Sequence, residues 1–138
     1  MSKLSVLSVA LLFFIVGCSK PAPPTLSGVF LYQEKDTRFS NGYHKYDFRT
    51  DGSVITEDES TVLGFKFLGA GKGTYTVHGS NVQATLSVTV KGPKEDDAFQ
   101  IVELFRIDGQ DLIHVSSTRS PKWEVQQDEQ QTRYSLKR

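Results

Sequence analysis

The chain has 138 residues, with 16 basic and 16 acidic side chains. That length suits one domain with a modest core, and the even charge balance lacks the basic surplus that nucleic-acid binding needs. The single cysteine excludes an internal disulfide, and His44, His78 and His114 do not have the spacing of a zinc site. We therefore expect no nucleic-acid partner, no metal and no cofactor.

Residues 1–17 have the features of a secretory signal peptide. Lys3 supplies a positive charge, and an almost unbroken apolar run follows from Leu4 to Val16. As a helix this run would rise about 20 Å, which is short for the hydrocarbon core of a membrane but usual for a signal. Residues 15–18, "IVGC", resemble the bacterial lipobox, whose cysteine is lipidated and becomes the first mature residue. The alternative is an ordinary signal that happens to end at a cysteine.

The lipobox resemblance implies a membrane anchor at Cys18. Several acyl chains would hold the protein firmly, because each buried methylene contributes about 0.8 kcal/mol. By resemblance to bacterial sorting rules, Ser19 after the cysteine favours the outer membrane. We therefore expect a lipid-anchored protein of the bacterial cell envelope, on the outer membrane and facing the periplasm. Residues 18–25 carry three prolines and would form a stiffened tether, followed by a folded domain over residues 26–138.

Alternating apolar and polar residues dominate that domain and predict β-strands. In "NVQATLSVTVK", residues 81–91, five apolar side chains fall on one face, and similar patterns predict eight or nine strands in all. Glycine turns at residues 50–53, 78–81 and 107–110 would join sequential neighbours into an antiparallel meander. Closure would remove the two sheet edges. The predicted fold is all-β, a meander of about eight strands closed into a small barrel, with two packed sheets as the alternative.

Several polar or glycine-rich segments fit the strand pattern less well. Residues 68–75, "LGAGKGTY", lack the spacing of a phosphate-binding loop and are interpreted as a flexible hairpin connection. Residues 91–98 and 120–131 are polar, contain proline and are interpreted as long loops or hairpin tips. The acidic runs at 57–59 and 95–97 are expected to be solvated.

Glu103 is the most unusual candidate for a site. In "FQIVELFRI", residues 99–107, it shares a face with four apolar side chains, so an inward face would bury a carboxylate that must be paired, protonated or wet. It would then be a polar anchor for a ligand. The alternatives are a bulge that turns it outward, or an ion pair with Arg106 or Arg133. His114, on the same face as Leu112, is expected to be either a satisfied, partly buried histidine or a surface one, and not a ligand-binding residue.

Five short motifs resemble those of small bacterial lipocalin-like lipoproteins. They are "LSGVF" (26–30), "YDFRTDGSV" (46–54), "GKGTYTVHGSNV" (71–82), "LFRIDGQDLIH" (104–114) and the closing "TRYSLKR" (132–138). The resemblance implies a barrel whose end is plugged by Gly28 and Phe30, with Arg133 or Arg138 packing across it by cation–π contact. Phe30 stands where these proteins usually have tryptophan, and Trp123 falls in a presumed loop.

Two functional hypotheses follow. A barrel of eight strands can hold one small ligand, and an apolar one is expected, with a cavity of roughly 300 Å³ or more. Its lining would be Glu103, Leu86 and seven aromatic side chains: Tyr46, Phe48, Phe65, Phe67, Tyr75, Phe105 and Tyr134. The alternative is a filled core and an inhibitor-like protein, which binds an envelope or host protein such as a lysozyme or protease through residues 69–73 and the Trp123 loop. No nucleophile motif is present, so no catalytic residue is predicted.

Overall fold

A computed structural model describes residues 25–138, which contain nine β-strands and no helix. No helix in this part of the chain is long and apolar enough to cross a membrane. The predicted signal peptide, Cys18 and all of the tether except Thr25 lie outside the described residues. The strands are β1 (Gly28–Gln33), β2 (Ser40–Phe48), β3 (Ser53–Val62), β4 (Phe65–His78), β5 (Asn81–Lys91), β6 (Asp96–Asp108), β7 (Asp111–Arg119), β8 (Glu124–Gln127) and β9 (Arg133–Leu136).

The strands form a closed antiparallel barrel with eight positions around its wall. Strands β1 to β7 pair with their sequential neighbours, and β9 pairs with both β7 and β1, which closes the ring. The eighth position is divided, because β8 pairs with the last part of β7 and β9 pairs with its first part. The prediction of a barrel is confirmed, and two separate sheets are excluded.

The predicted glycine turns are confirmed. Gly52, Gly79 and Gly109 have φ values of 86°, 59° and 61°, a region that glycine enters without steric cost. These three turns, at residues 49–52, 79–80 and 109–110, gather at one end of the barrel, which we call the closed end. The connections at residues 34–39, 63–64, 92–95 and 120–123 gather at the other end, which we call the open end.

Period-two alternation decides which side chains point inward. In β5, residues Val82, Ala84, Leu86 and Val88 are buried while their neighbours are exposed, as predicted. The register with β4 and β6 places the same face of each strand inside. The buried aromatic core is Phe30, Tyr46, Phe48, Tyr75, Phe105 and Tyr134, and it fills the barrel from the closed end to about its middle.

The glycine-rich segment is not a connection, as the sequence suggested, but the middle of β4. Gly69, Gly71 and Gly73 face inward, opposite Asp58, Thr56 and Val54 of β3. A Cβ atom on Gly69 would lie 1.8 Å from Asp58 Oδ1, and one on Gly73 would lie 1.8 Å from the Thr85 carbonyl oxygen. Gly69 therefore leaves room for the Asp58 side chain of β3, and Gly73 leaves room for the backbone of β5.

Strands also extend into the two polar segments interpreted as loops or hairpin tips. β5 continues to Lys91 and β6 begins at Asp96, which leaves only residues 92–95 as a hairpin tip. Residues 120–131 include the exposed strand β8, and Trp123 lies in the turn before it with 47% of its surface exposed.

The closed end agrees only in part with the lipocalin-like expectation. Phe30 is buried and packs edge-on against Phe48, with ring centroids 5.8 Å apart. The expected cation–π contact is wrong, because Arg133 binds Asp108 and Asp111 on the surface and Arg138 donates to Gln110.

Candidate functional site

A small cavity lies inside the barrel toward the open end, above the aromatic core. Its volume is about 180 Å³, and we call it the interior cavity. One side is apolar and is formed by β5 and the first half of β6, including Val88, Val90 and Ile101. The other side is polar, with His44, Tyr46, Thr56, Asp58 and Glu103.

Strand register brings the polar lining together. His44 lies opposite Asp58, and Tyr46 lies opposite Thr56, across the β2–β3 pair. Residues directly opposite in an antiparallel pair share a face, so Asp58 points inward while Glu57, beside it, forms a surface ion pair with Lys45. The expectation that the whole 57–59 run is solvated is therefore wrong at Asp58.

Glu103 is buried and belongs to a hydrogen-bonded group that we call the His114 network: Glu103, His114, Ser117 and Asp128. His114 Nε2 lies 2.6 Å from Glu103 Oε2, and His114 Nδ1 lies 2.9 Å from Asp128 Oδ2. Ser117 donates to Glu103 Oε2 at 2.5 Å, and Tyr46 donates to Oε1 at 3.4 Å. Of the alternatives that the sequence left open, Glu103 faces inward and is paired, and its partner is His114 and not Arg106 or Arg133.

The geometry of the network is that of a protonated imidazole. Both ring nitrogens face carboxylates, and ionised carboxylates only accept hydrogen bonds, so both nitrogens must donate. Burial alone would lower the pKa of His114, but the hydrogen bonds and charges of Glu103 and Asp128 outweigh it, and the pKa is raised. Burial alone would raise the pKa of Asp128, but its bonds from His114 and Thr132 lower that pKa.

A β-bulge aims the network inward. Glu103 pairs with Ser117 and Phe105 pairs with His114, so β7 has one more residue than β6 between these pairs. The extra residue allows both His114 and Ser117 to face the interior. Residues 128–132, between β8 and β9, complete the arrangement, since the Thr132 carbonyl accepts the His114 backbone N–H and the Asp128 backbone N–H donates to Val115.

Ser117, His114 and Asp128 have the spacing of a nucleophilic triad but not its hydrogen bonding. Ser117 Oγ lies 3.1 Å from His114 Nε2, yet the serine hydroxyl and the imidazole nitrogen both donate to Glu103. A histidine in a triad must accept the proton of the nucleophile. In this arrangement His114 has no free lone pair with which to accept it.

A second histidine occupies a similar position on the opposite wall. His44 Nε2 lies 3.1 Å from Glu34 Oε1, and His44 Nδ1 lies 4.0 Å from Asp58 Oδ2. Burial raises the pKa of Asp58; the charge of His44 opposes that rise and the charge of Glu34 adds to it. Within residues 25–138, no three His, Cys, Asp or Glu side chains are arranged to hold a metal ion.

A cleft in the barrel wall adjoins the interior cavity. It has a volume of about 660 Å³ and lies between residues 32–44 and residues 130–134, where β8 makes no pair with β1. We call it the side cleft. His44 lines both spaces, and Tyr32 and Tyr134 line the side cleft with rings 5.8 Å apart.

The structure separates the predicted lining residues into three groups. Tyr46 and Glu103 line the interior cavity, as does Leu86. Phe48, Tyr75, Phe105 and Tyr134 are buried in the core, and Tyr134 also borders the side cleft. Phe67 is half-buried beside Gly92, and Phe65 is 52% exposed at the open end, so Phe65 does not line the interior.

Sequence reasoning missed five polar members of the site: His44, Thr56, Asp58, Ser117 and Asp128. Alternation carried a signal for three of them, because His44 shares a face with Tyr46 and Phe48, and Thr56 and Asp58 share one with Val54. Ser117 follows the bulge and Asp128 lies between strands, so no regular period marks either one.

Comparisons with known proteins add no assignment. No protein-family model matches the chain, and neither a curated protein sequence nor a solved structure is significantly similar to it. The closed barrel agrees with the lipocalin-like motifs, and the site has to be interpreted from its own geometry.

Proposed function

We propose that this protein is a lipid-anchored, non-enzymatic binding protein of the bacterial envelope that takes a small ligand at the open end of its barrel. The observation that carries the proposal is the interior cavity, walled by apolar side chains on one side and by Asp58 and Glu103 on the other. Concave sites that combine an apolar wall with a few convergent polar groups are the usual form of small-molecule sites.

The size of the interior cavity limits which ligands can bind there. About 180 Å³ is less than the roughly 300 Å³ expected of a complete ligand site, because Phe48, Phe105 and Tyr134 fill the lower interior. The ligand would place one compact group in the interior cavity and its remainder in the side cleft, past His44. An amphipathic ligand fits this arrangement better than the wholly apolar one that the sequence suggested.

The position of the tether supports a ligand arriving from the periplasm. Leu26 is held at the closed end, where its backbone N–H donates to the Tyr75 hydroxyl at 3.2 Å. An anchor at Cys18 would lie at most about 29 Å away along the extended chain. The closed end would then face the outer membrane, and the open end would face away from it.

A second candidate function is docking of an envelope or host protein at the open end. Phe39, Leu63 and Phe65 are each more than half exposed there, and the Leu63 backbone N–H bonds to the Phe39 carbonyl. Exposed apolar side chains that cluster often mark protein-binding surfaces. The glycines at 69–73, which the sequence assigned to such a surface, face inward and play no part in it.

Native mass spectrometry of the full chain, purified in an uncharged detergent, tests the proposal. We expect a bound small molecule on the wild type, and its loss from Val90→Phe, which would fill the upper interior cavity. Thr89→Phe, on the outer face of the same strand, is the matched control and should retain it. The intact mass also reports acyl chains on Cys18.

A wild type that carries nothing, or Val90→Phe that keeps its ligand, would contradict the binding function. A mature protein without acyl chains would contradict the anchor alone.

A further inference from the structure

The charge of the site indicates which class of ligand it takes. Four carboxylates, those of Glu34, Asp58, Glu103 and Asp128, surround two imidazoles, those of His44 and His114. No lysine or arginine lines the interior cavity, and Lys35 lines the side cleft beside Glu34. With both imidazoles protonated and Lys35 counted, the four ionised carboxylates would leave an excess of one negative charge.

Of these four carboxylates, Asp58 has the fewest hydrogen-bond donors and cations near it. Within residues 25–138 it accepts no hydrogen bond, and its nearest cationic partner is His44 Nδ1 at 4.0 Å, whose other nitrogen is taken by Glu34. Its side chain is 28% exposed, toward the cavity that it lines. A partly buried carboxylate without a donor favours a ligand that supplies one.

Tyr134 is a second, independent indication of a missing partner. The residue is only 7% exposed, yet among the described residues its hydroxyl has no hydrogen bond. Every fully occluded side-chain N or O atom in residues 25–138 does have a partner, so this hydroxyl must reach the side cleft that Tyr134 lines. Burial raises the pKa of Tyr134, and the charges of Glu103, Asp128 and Asp58 add to the rise.

Aromatic rings complete the surroundings. The Tyr134 ring lies 5.2 Å from that of Tyr46 and 5.8 Å from that of Tyr32. Aromatic faces attract ammonium groups within about 6 Å, and carboxylates accept their hydrogen bonds. The same set suits a metal ion poorly, because no three potential ligands converge within the described residues.

We propose that the ligand is a small organic amine, whose ammonium group binds in the interior cavity against Asp58 and Glu103 while its apolar body lies along Tyr32 and Tyr134 in the side cleft. This inference rests on the proposed binding function and adds the charge of the ligand. It distinguishes the site from one built for an apolar molecule alone.

Calorimetric titration with three probes of similar shape and different charge tests this inference. The full chain in uncharged detergent is titrated with phenethylamine, phenethyl alcohol and hydrocinnamate, which are cationic, neutral and anionic at neutral pH. We expect phenethylamine to bind at least about tenfold more tightly than the alcohol, and hydrocinnamate to bind most weakly.

Matched variants locate the effect. Asp58→Asn keeps the shape of the side chain and should abolish the preference for the amine over the alcohol. Glu57→Gln changes the neighbouring outward carboxylate, which is paired with Lys45, and should preserve the preference. Asp58→Ser is a second, smaller variant that removes the charge and should likewise abolish the preference for the amine, so the test remains decisive if Asp58→Asn does not fold.

Three outcomes would overturn the inference. Equal affinity for amine and alcohol, or tighter binding of hydrocinnamate, would mean that the site binds small molecules without selecting a cation, and the proposed function would stand. Calcium or magnesium that binds more tightly than phenethylamine and depends on Asp58 would make it a metal site. No binding of any probe at millimolar concentration would also reject the amine, whereas the co-purified ligand in native mass spectrometry decides the binding function separately.

Discussion

The two ends of the barrel are built from the same alternating strands but have opposite interiors. At the closed end the inward positions carry Phe30, Phe48, Val54 and Tyr75, which belong to one buried apolar cluster. At the open end β2, β3 and β6 carry His44, Asp58 and Glu103, which line the interior cavity. The comparison indicates that stability is concentrated at one end, which leaves the other free to carry polar groups that a continuous core would exclude.

The largest expected effect is the loss of a closed-end ring. Phe48 is 1% exposed and contacts Phe30, Tyr75 and Phe105, so Phe48→Ala should lower the free energy of unfolding by about 3–5 kcal/mol. Denaturant titration measures it. Phe39→Ala, an exposed phenylalanine at the open end, is the control and should stay within about 0.5 kcal/mol of the wild type. Similar losses of unfolding free energy in the two variants would contradict the conclusion that stability is concentrated at the closed end.

A smaller effect is expected when Glu103 loses its charge. Glu103→Gln retains an acceptor but weakens the bonds to His114 and Ser117, and should cost about 1–3 kcal/mol. Because Glu103 raises the pKa of His114, that pKa should fall in the variant. Denaturant titration and an NMR titration of the His114 ring measure both quantities.

Asp97→Asn, an exposed carboxylate paired with Arg119, is the control for Glu103→Gln. A His114 pKa that does not fall in Glu103→Gln would show that the two groups are not coupled in solution.

The smallest effect concerns pH. The folded pKa of His114 lies above its ordinary value of 6.5, so its stabilisation is complete below that pH and is lost as pH rises through the folded pKa. Asp128 contributes to stability in the opposite direction. Its folded pKa is lowered, so its contribution is present above the ordinary pKa of 3.8 and is lost as pH falls through the folded pKa. The unfolding free-energy gap between wild type and His114→Gln should therefore be larger at about pH 5.5 than at about pH 9.

Denaturant titrations at both pH values measure this gap. His78→Gln, at the exposed end of β4, serves as the control. The gap in unfolding free energy between the wild type and this variant should not shrink between the two pH values. A gap for His114→Gln that widens toward alkaline pH would mean that the imidazole is held neutral.

Much of the fold could be predicted because its determinants are local. Alternation along β5 and the glycine turns at Gly52, Gly79 and Gly109 each depend on a few neighbouring residues. The segment 69–73 was misplaced for the same reason, since glycines resemble a loop until the atoms of β3 and β5 that occupy the space beside them are known. Glu103 stood out because it interrupts an apolar face, whereas Asp58 was hidden in an acidic run.

The amino-acid sequence by itself determined the strands and the face of β6 that Glu103 shares with four apolar side chains, because a period of two residues is set by the geometry of each strand alone. Only the tertiary structure decided that the partners of Glu103 are His114 and Ser117 and that Asp128 supports them. Those contacts depend on a one-residue bulge in β7 and on the return of residues 128–132 to the same wall. The bulge and the position of residues 128–132 both result from pairing between distant strands and from closure of the barrel. A local sequence pattern does not reveal either one.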